Sequence, residues 1–441
     1  MALLEFEGVK VHGPDTRMAP ELERAITVGV ERPGSEWSLE SSLAELERLV
    51  NTAGAEVVAS TRQRLDSPNP RTFIGSGKAE EVADLCRAYA ADLVVFDDEL
   101  TPSQQSNLEK IVGKSVKVID RTALILDIFA LHATSREGRL QVKLAQNQYL
   151  YPRLRGMWAH LASNRMGGGV GSRFGEGESQ LEVDRRLVRD RITSIKRELK
   201  QVSKTRDLQR KKRYDSGVFK VSLAGYTNAG KSSLLNRLTN AEVLSYDKLF
   251  ATLDSTTRQF QLPEGRQITV TDTVGFIQKL PTTLVEAFKS TLDEINGSDL
   301  ILHVVDSSDP NFMDQVTTVQ DVLQQIGAQE IGRVMVFNKT DLLTEDELAG
   351  MRKRFPEAVF VSSLENSHID ELVGRISLVT SAQEELMELL VPYDRGDLVS
   401  LAHAKCTLLS ESYEEGGTRL SLRVMPELKN KFETFAVKDA D

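Results

Sequence analysis

Cysteine is nearly absent from the chain. Cys86 and Cys406 are the only two in 441 residues, far apart and outside any C-x-x-C spacing, which argues against a disulfide framework or a cysteine zinc site. No apolar run reaches the length needed to cross a bilayer. The opening residues, Met1-Ala-Leu-Leu-Glu-Phe-Glu, lack a basic stretch followed by an apolar core, so the expected location is the cytoplasm with no membrane span. Nor is there a surplus of positive charge: 55 Lys and Arg against 65 Asp and Glu leave a formal −10, which argues against a uniformly basic nucleic-acid binder. The remaining composition is that of a soluble globular protein, and the length suggests about two to four domains.

What is present centres on residues 225–232. Gly225-Tyr226-Thr227-Asn228-Ala229-Gly230-Lys231-Ser232 matches G-x-x-x-x-G-K-[ST] at every required position. The apolar, β-rich run Val218 to Ala224 precedes it, and the helical pattern Ser233 to Leu238 follows. A strand, a glycine loop and a helix N-terminus turn successive backbone N–H groups toward an anion, which is a phosphate cradle. Lys231 supplies a compact charge for the β and γ phosphates, and the Ser232 hydroxyl suits Mg²⁺.

The parts that choose the base and sense the γ-phosphate follow in order. Ile268 to Thr271 is a β-branched run ending in Asp272-Thr273-Val274-Gly275, a D-x-x-G arrangement: the aspartate steadies the magnesium shell and the glycine amide meets the γ-phosphate. Val334 to Phe337 runs into Asn338-Lys339-Thr340-Asp341. A carboxylate at Asp341 accepts hydrogen bonds from guanine N1–H and the 2-amino group, two donors adenine lacks, so the expected ligand is GTP. Val359 to Val361 leads into Ser362-Ser363-Leu364, a candidate backbone contact to guanine O6. Between the first two motifs lies Phe250-Ala251-Thr252-Leu253-Asp254, then Ser255-Thr256-Thr257-Arg258, where a threonine of a moving segment is expected to close on Mg²⁺ while the γ-phosphate is present. After D-x-x-G stands Phe276, where many small GTPases place a water-orienting glutamine, so hydrolysis is expected to be slow without a partner. Asn228 is a candidate ligand for K⁺, or else makes a loop hydrogen bond.

Upstream, β-rich and helical patterns alternate from Ala25 to Asp120, as a parallel βαβ domain requires. Inside it, Phe73-Ile74-Gly75-Ser76-Gly77-Lys78 reads as a structural turn in preference to an anion loop. Helical periodicity from Leu124 to about Arg155 is followed by a glycine-rich stretch, Met157 to Gln180, expected to be a loop carrying Arg165, Arg173, Trp158 and Phe174; it suits either RNA or a plain linker. A long helix follows, its apolar seam at Val188, Ile192, Ile195, Leu199 and Val202. From Arg185 to Arg213 thirteen Lys or Arg stand against three Asp or Glu, an excess that favours RNA over an inert surface. In the tail, Ala404 to Ser410 and Thr418 to Val424 read as a hairpin around Glu414-Glu415-Gly416-Gly417, with a helix over Pro426 to Phe435. The fold class is α/β: an N-terminal parallel α/β domain (1–123), a long antiparallel helical hairpin (124–214), a Rossmann-like P-loop domain (215–380) and a small C-terminal α/β domain (381–441).

Phe73 to Lys78, Gln141-Val-Lys-Leu-Ala-Gln with Tyr149 to Leu154, the glycine loop ending Glu178-Ser-Gln-Leu-Glu-Val-Asp-Arg-Arg, the P-loop, Phe250 to Asp254, Asp272 to Phe276 and Val391-Pro-Tyr-Asp-Arg-Gly together resemble the HflX family, Obg-HflX-type P-loop GTPases associated with the ribosome. The resemblance covers nearly the whole chain. It implies a slow GTPase stimulated by the ribosome that binds the 50S subunit and 23S rRNA and splits stalled 70S particles under stress. It selects Thr252, over Thr256 and Thr257, as the second Mg²⁺ ligand beside Ser232, and gives Lys231, Thr252 and Gly275 the catalytic roles. The chain departs from the family at the loop tip, where Arg173-Phe-Gly-Glu-Gly-Glu replaces Arg-Gly-Pro-Gly-Glu. Two other functions fit the motifs: a GTPase of large-subunit assembly, and an RNA-binding scaffold whose nucleotide site is vestigial.

Overall fold

The computed structural model describes residues 22–34, 37–154, 174–214, 218–239, 249–250, 253, 255–279, 281, 289–382 and 384–437. By their contacts these residues form two compact units. The first comprises Met1–Gln201 with the segments Asp247–Asp254 and Ile277–Lys289; the second comprises Val202–Tyr246, Ser255–Phe276 and Ser290–Asp441.

In the first unit four strands, β1 (Glu23–Glu31), β2 (Ala55–Arg64), β3 (Leu93–Phe96) and β4 (Lys117–Asp120), make a wholly parallel sheet in the order β2-β1-β3-β4. Parallel pairing needs a crossover after each strand, and α1 (Leu39–Thr52), α2 (Ser76–Ala88) and α3 (Pro102–Val112) supply them. Polar residues start these helices: the Ser38 hydroxyl accepts from Ser41 N–H at 3.1 Å, and Thr101 and Gln104 form a reciprocal capping box. Asp120 caps α4 (Arg121–His132). The Phe73 to Lys78 turn is closed by the protein itself, since Gly75 N–H donates to Gln63 Oε1 at 2.9 Å and Lys78 pairs with Glu81 at 2.7 Å.

After α5 (Arg136–Leu150) the chain enters a 41-residue helix, α6 (Phe174–Tyr214). The expected loop thus ends earlier than its glycines suggest: Phe174 to Gln180, including Gly175 and Gly177, lie in the first turns of α6. The rest of that loop, 157–173, falls outside the described residues. Along α6 Val188 is buried and Ile192, Ile195 and Leu199 are half-buried, while Arg186, Arg189, Arg191, Lys196, Arg197 and Lys200 face solvent. Arg189 donates to the Tyr151 hydroxyl at 2.7 Å, tying α6 to the end of α5.

The second unit holds a six-stranded sheet of order β10-β9-β8-β5-β7-β6: β5 (Phe219–Gly225), β6 (Thr256–Gln261), β7 (Gln267–Asp272), β8 (Leu300–Asp306), β9 (Arg333–Asn338) and β10 (Val359–Phe360). All pairs are parallel except β6 with β7. Helices α7 (Lys231–Thr239), α8 (Lys289–Asn296), α9 (Phe312–Gln325), α10 (Glu345–Arg354) and α11 (Ile369–Ala382) accompany it. The chain leaves β5 for β7 on one side and returns through β8 on the other, so the strand order reverses at β5, where a crevice forms beyond the carboxyl ends. β6 is a correction: the Thr256–Thr257 stretch, expected in a moving loop, begins an antiparallel edge strand.

A three-stranded antiparallel sheet, β11 (Glu385–Val391), β13 (Gly417–Val424) and β12 (Thr407–Glu414), completes this unit with α12 (Gly396–Lys405) and α13 (Pro426–Phe432). The hairpin and the helix from Pro426 lie where the sequence places them, although β12 starts three residues after the expected Ala404. Met425 packs into the six-stranded sheet's core, and Arg266 in the β6–β7 hairpin pairs with buried Glu384, so this small sheet is fastened to its own unit.

Candidate active site

β5 delivers Gly225 to the crevice, and the chain turns from there into α7. Gly230 sits at φ +90°, and a methyl group on it would overlap the Asn338 side-chain amide, so only glycine lets the loop and Asn338 meet. Asn338 Nδ2 donates to the Ala229 carbonyl at 2.9 Å, while its Oδ1 accepts from Ser363 N–H at 3.0 Å. One fully buried side chain thereby joins the 225–232 loop to the 362–364 loop. Asp341 Oδ1 accepts from the Ser362 hydroxyl at 2.5 Å, and Lys339, itself in the left-handed region at φ +63°, pairs with Asp306 at 2.7 Å. Thr340 is buried, and Leu342 and Leu364 are exposed apolar groups on the two loops that carry Asp341 and Ser362.

Lys231 is buried and folds back on the loop, donating to the carbonyls of Tyr226 at 2.9 Å and Gly225 at 3.2 Å. Burial pushes its ammonium down to about 8, opposed by the nearby Asp272 carboxylate. The Ser232 hydroxyl donates to Asp272 Oδ2 at 2.6 Å. A hydroxyl and a carboxylate oxygen so close are the hard donors Mg²⁺ takes.

Gly275 lies across from the loop: a Cβ there would come within 2.7 Å of Thr227 Cα and 3.0 Å of Lys231 Nζ. Thr273 is anchored by donating to the Leu223 carbonyl at 2.7 Å, and Val274 is buried beside it. Phe276 adds a contact its side chain does not announce. Its N–H donates to the Gly225 carbonyl at 3.1 Å and its carbonyl accepts from Thr227 N–H at 2.7 Å, so D-x-x-G is stitched to the phosphate loop by backbone.

The structure therefore brings together residues 225–232, 272–275, 338–341 and 362–364. Phe250 and Leu253 belong by their contacts to the first unit, where Phe250 packs edge-on against Phe129 with centroids 4.6 Å apart. Ala251, Thr252 and Asp254 lie outside the described residues.

Three family models match successive parts of the chain: "GTP-binding GTPase N-terminal" over residues 40–130, "GTP-binding GTPase Middle Region" over 132–213, and "50S ribosome-binding GTPase" over 220–339. "GTPase HflX" of Caldanaerobacter subterraneus subsp. tengcongensis is 42% identical over 420 residues, 95% of both chains. The chain belongs to the HflX family of GTPases. "GTPase HflX" of Escherichia coli strain K12 is 42% identical over 87% of this chain and 89% of its own, and that of Akkermansia muciniphila 41% over 96% and 99%. A solved GTP-binding protein of Sulfolobus solfataricus in complex with GDP aligns over 82% of this chain and 99% of its own at 22% identity and a TM-score of 0.42.

As an HflX-family member the protein binds guanine nucleotide and hydrolyses GTP, and its G domain is of the ribosome-binding kind. No described helix is long and apolar enough to cross a membrane. Sequence reading of this HflX chain missed three contributors: Asp306 as the partner of Lys339, the backbone of Phe276, and Arg237 on α7, which reaches the 362–364 loop. Only Asp306 carried a signal, as the charged residue closing the apolar run of β8.

Proposed function

We propose that the protein is a GTP-gated factor that binds the large ribosomal subunit, contacts 23S rRNA, and separates the subunits of stalled 70S particles. The observation that carries the gating is the crowding of Gly275 against Thr227 and Lys231, beside the Ser232–Asp272 pair. A γ-phosphate arriving there must take the Lys231 ammonium from the Tyr226 and Gly225 carbonyls and meet the Gly275 amide, so the segment leaving Phe276 experiences the difference between GTP and GDP. In this reading Gly225 to Ser232 hold the phosphates, Ser232 and Thr252 ligate Mg²⁺, Asp341 with Ser362 to Leu364 reads guanine, and Asn228, at φ +62°, takes K⁺. An Mg²⁺ ion held by Ser232 and Thr252 would supply neutralisation of the phosphate charge. The cationic, solvent-facing side of α6 is the surface offered to rRNA phosphates.

The test is light scattering of purified 70S ribosomes mixed with the protein and a non-hydrolysable GTP analogue, in K⁺ and in Na⁺, with Lys231→Ala alongside. A loss of scattering with the analogue but not GDP, absent in Lys231→Ala, supports splitting, and a stronger response in K⁺ supports the Asn228 assignment. Binding to 50S with no loss of 70S would move the role to subunit assembly. Full activity of Lys231→Ala would leave an RNA-binding scaffold.

A further inference from the structure

Arg237 lies on α7, the helix whose first turn carries Lys231 and Ser232, but it points to the other end of the nucleotide site. Its Nε donates to the Ser363 carbonyl at 2.7 Å and its Nη2 to the Leu364 carbonyl at 2.9 Å. These two N–H groups are adjacent on a rigid planar guanidinium, so one side chain holds the carbonyls of two consecutive peptides, which a lysine ammonium cannot reproduce. The 362–364 loop needs such a hold because β10, which leads into it, has only two residues.

In a trans peptide the N–H points opposite the carbonyl. Gripping the Ser363 carbonyl therefore sets the direction of Leu364 N–H, and gripping the Leu364 carbonyl sets that of Glu365 N–H. The Glu365 amide is already used, donating to the Ser362 hydroxyl at 3.0 Å, and that hydroxyl in turn holds Asp341. Ser363 N–H is also used, on Asn338 Oδ1. Among the described residues Leu364 N–H makes no hydrogen bond, and with the Ser363 carbonyl turned to Arg237 it points away from α7 on the loop beside Asp341.

We propose that Arg237 is a positioning residue for guanine recognition: it aims the Leu364 amide at the O6 edge of the base, beside Asp341, which reads N1–H and the 2-amino group and is itself held through the Ser362 hydroxyl and Glu365 N–H. The role rests on the assignment of Asp341 and residues 362–364 to the base. Because the same helix begins at the phosphate cradle, Arg237 also fixes the distance between phosphate and base subsites.

The experiment measures dissociation constants of GDP, IDP and ADP for the full-length protein and for Arg237→Ala, with Arg237→Lys and thermal melting alongside. IDP keeps O6 and N1–H but lacks the 2-amino group, and ADP lacks all three. Arg237→Ala should weaken both GDP and IDP, GDP at least as much as IDP, by about three- to tenfold for two surface hydrogen bonds from a charged donor. ADP, held through its phosphates, should not change. Arg237→Lys should resemble Arg237→Ala, since one ammonium cannot span both carbonyls. If Arg237→Ala does not fold, Arg237→Gln is read the same way. Unchanged GDP and IDP affinity, or a loss confined to IDP, overturns the role of Arg237 while leaving the base site standing. A wild-type protein that binds ADP as tightly as GDP overturns the base-site assignment and the Arg237 role together.

Discussion

Lys231 is a buried cation held by the Tyr226 and Gly225 carbonyls with the Asp272 carboxylate nearby, and its titration follows from that setting. Burial lowers the ammonium to about 8, from an ordinary value of 10.5. The folded protein thus releases this proton before the unfolded chain does, and the group's contribution makes the fold less unfavourable as pH rises from about 8 toward 10.5. Nucleotide phosphates pull the other way by favouring the charged form. GDP affinity should therefore be flat below pH 8 and fall above it by up to about tenfold per pH unit, as one proton is taken up on binding. A titration of affinity between pH 7 and 9 checks this; a flat profile across that range would mean the lysine is not buried as a cation. Much of this chemistry was legible as sequence, because the loop, D-x-x-G and N-K-x-D each demand particular residues at fixed spacings. Arg237 was not, since an arginine six positions after Lys231 has no spacing rule, and its partners are carbonyls that any residue could supply.

At the scale of elements, the first unit is organised around a buried charge cluster. Arg121, at the start of α4, pairs with Glu45 of α1 at 2.7 Å and with Asp97 at 3.0 Å, all three side chains buried. It also donates to the Gln278 carbonyl at 3.2 Å, and Lys279 pairs with Asp97 at 2.5 Å and Asp98 at 3.0 Å. The few residues after Phe276 are thereby held in the first unit by ion pairs. Removing one partner strands the others in a dry interior, so Arg121→Ala should destabilise this unit by about 3–5 kcal/mol in urea or thermal unfolding. A change under 1 kcal/mol would show that water reaches the cluster.

Leu93 to Phe96 and Leu300 to Asp306 read as strands from the sequence and match β3 and β8 to the residue, because a strand buried on both faces is predominantly apolar. β6 and β11 were missed for the complementary reason: Thr-Thr-Arg-Gln-Phe-Gln and Glu-Leu-Met-Glu-Leu-Leu-Val sit with one side exposed. Their pairing partners, β7 and β13, decide their conformation. The first turns of α6 were missed because Gly175 and Gly177 lower helix propensity locally, while the long cationic helix behind them carries the segment along.

For the whole molecule, residues 225–232, 272–275, 338–341 and 362–364 lie in one unit, whereas the segments on either side of D-x-x-G, 247–254 and 277–289, belong by their contacts to the other. In the function proposed above, a γ-phosphate met at Gly275 acts on the segment that leaves Phe276, and the cationic face of α6 and the G domain are the surfaces proposed to meet the ribosome. The most direct measurement is co-sedimentation of the full-length protein with purified 50S subunits through a sucrose gradient in the presence of GDP or a non-hydrolysable GTP analogue. GTP gating predicts that the protein travels with 50S in the analogue and stays at the top of the gradient in GDP. Equal binding in both nucleotides, or none in either, would contradict it.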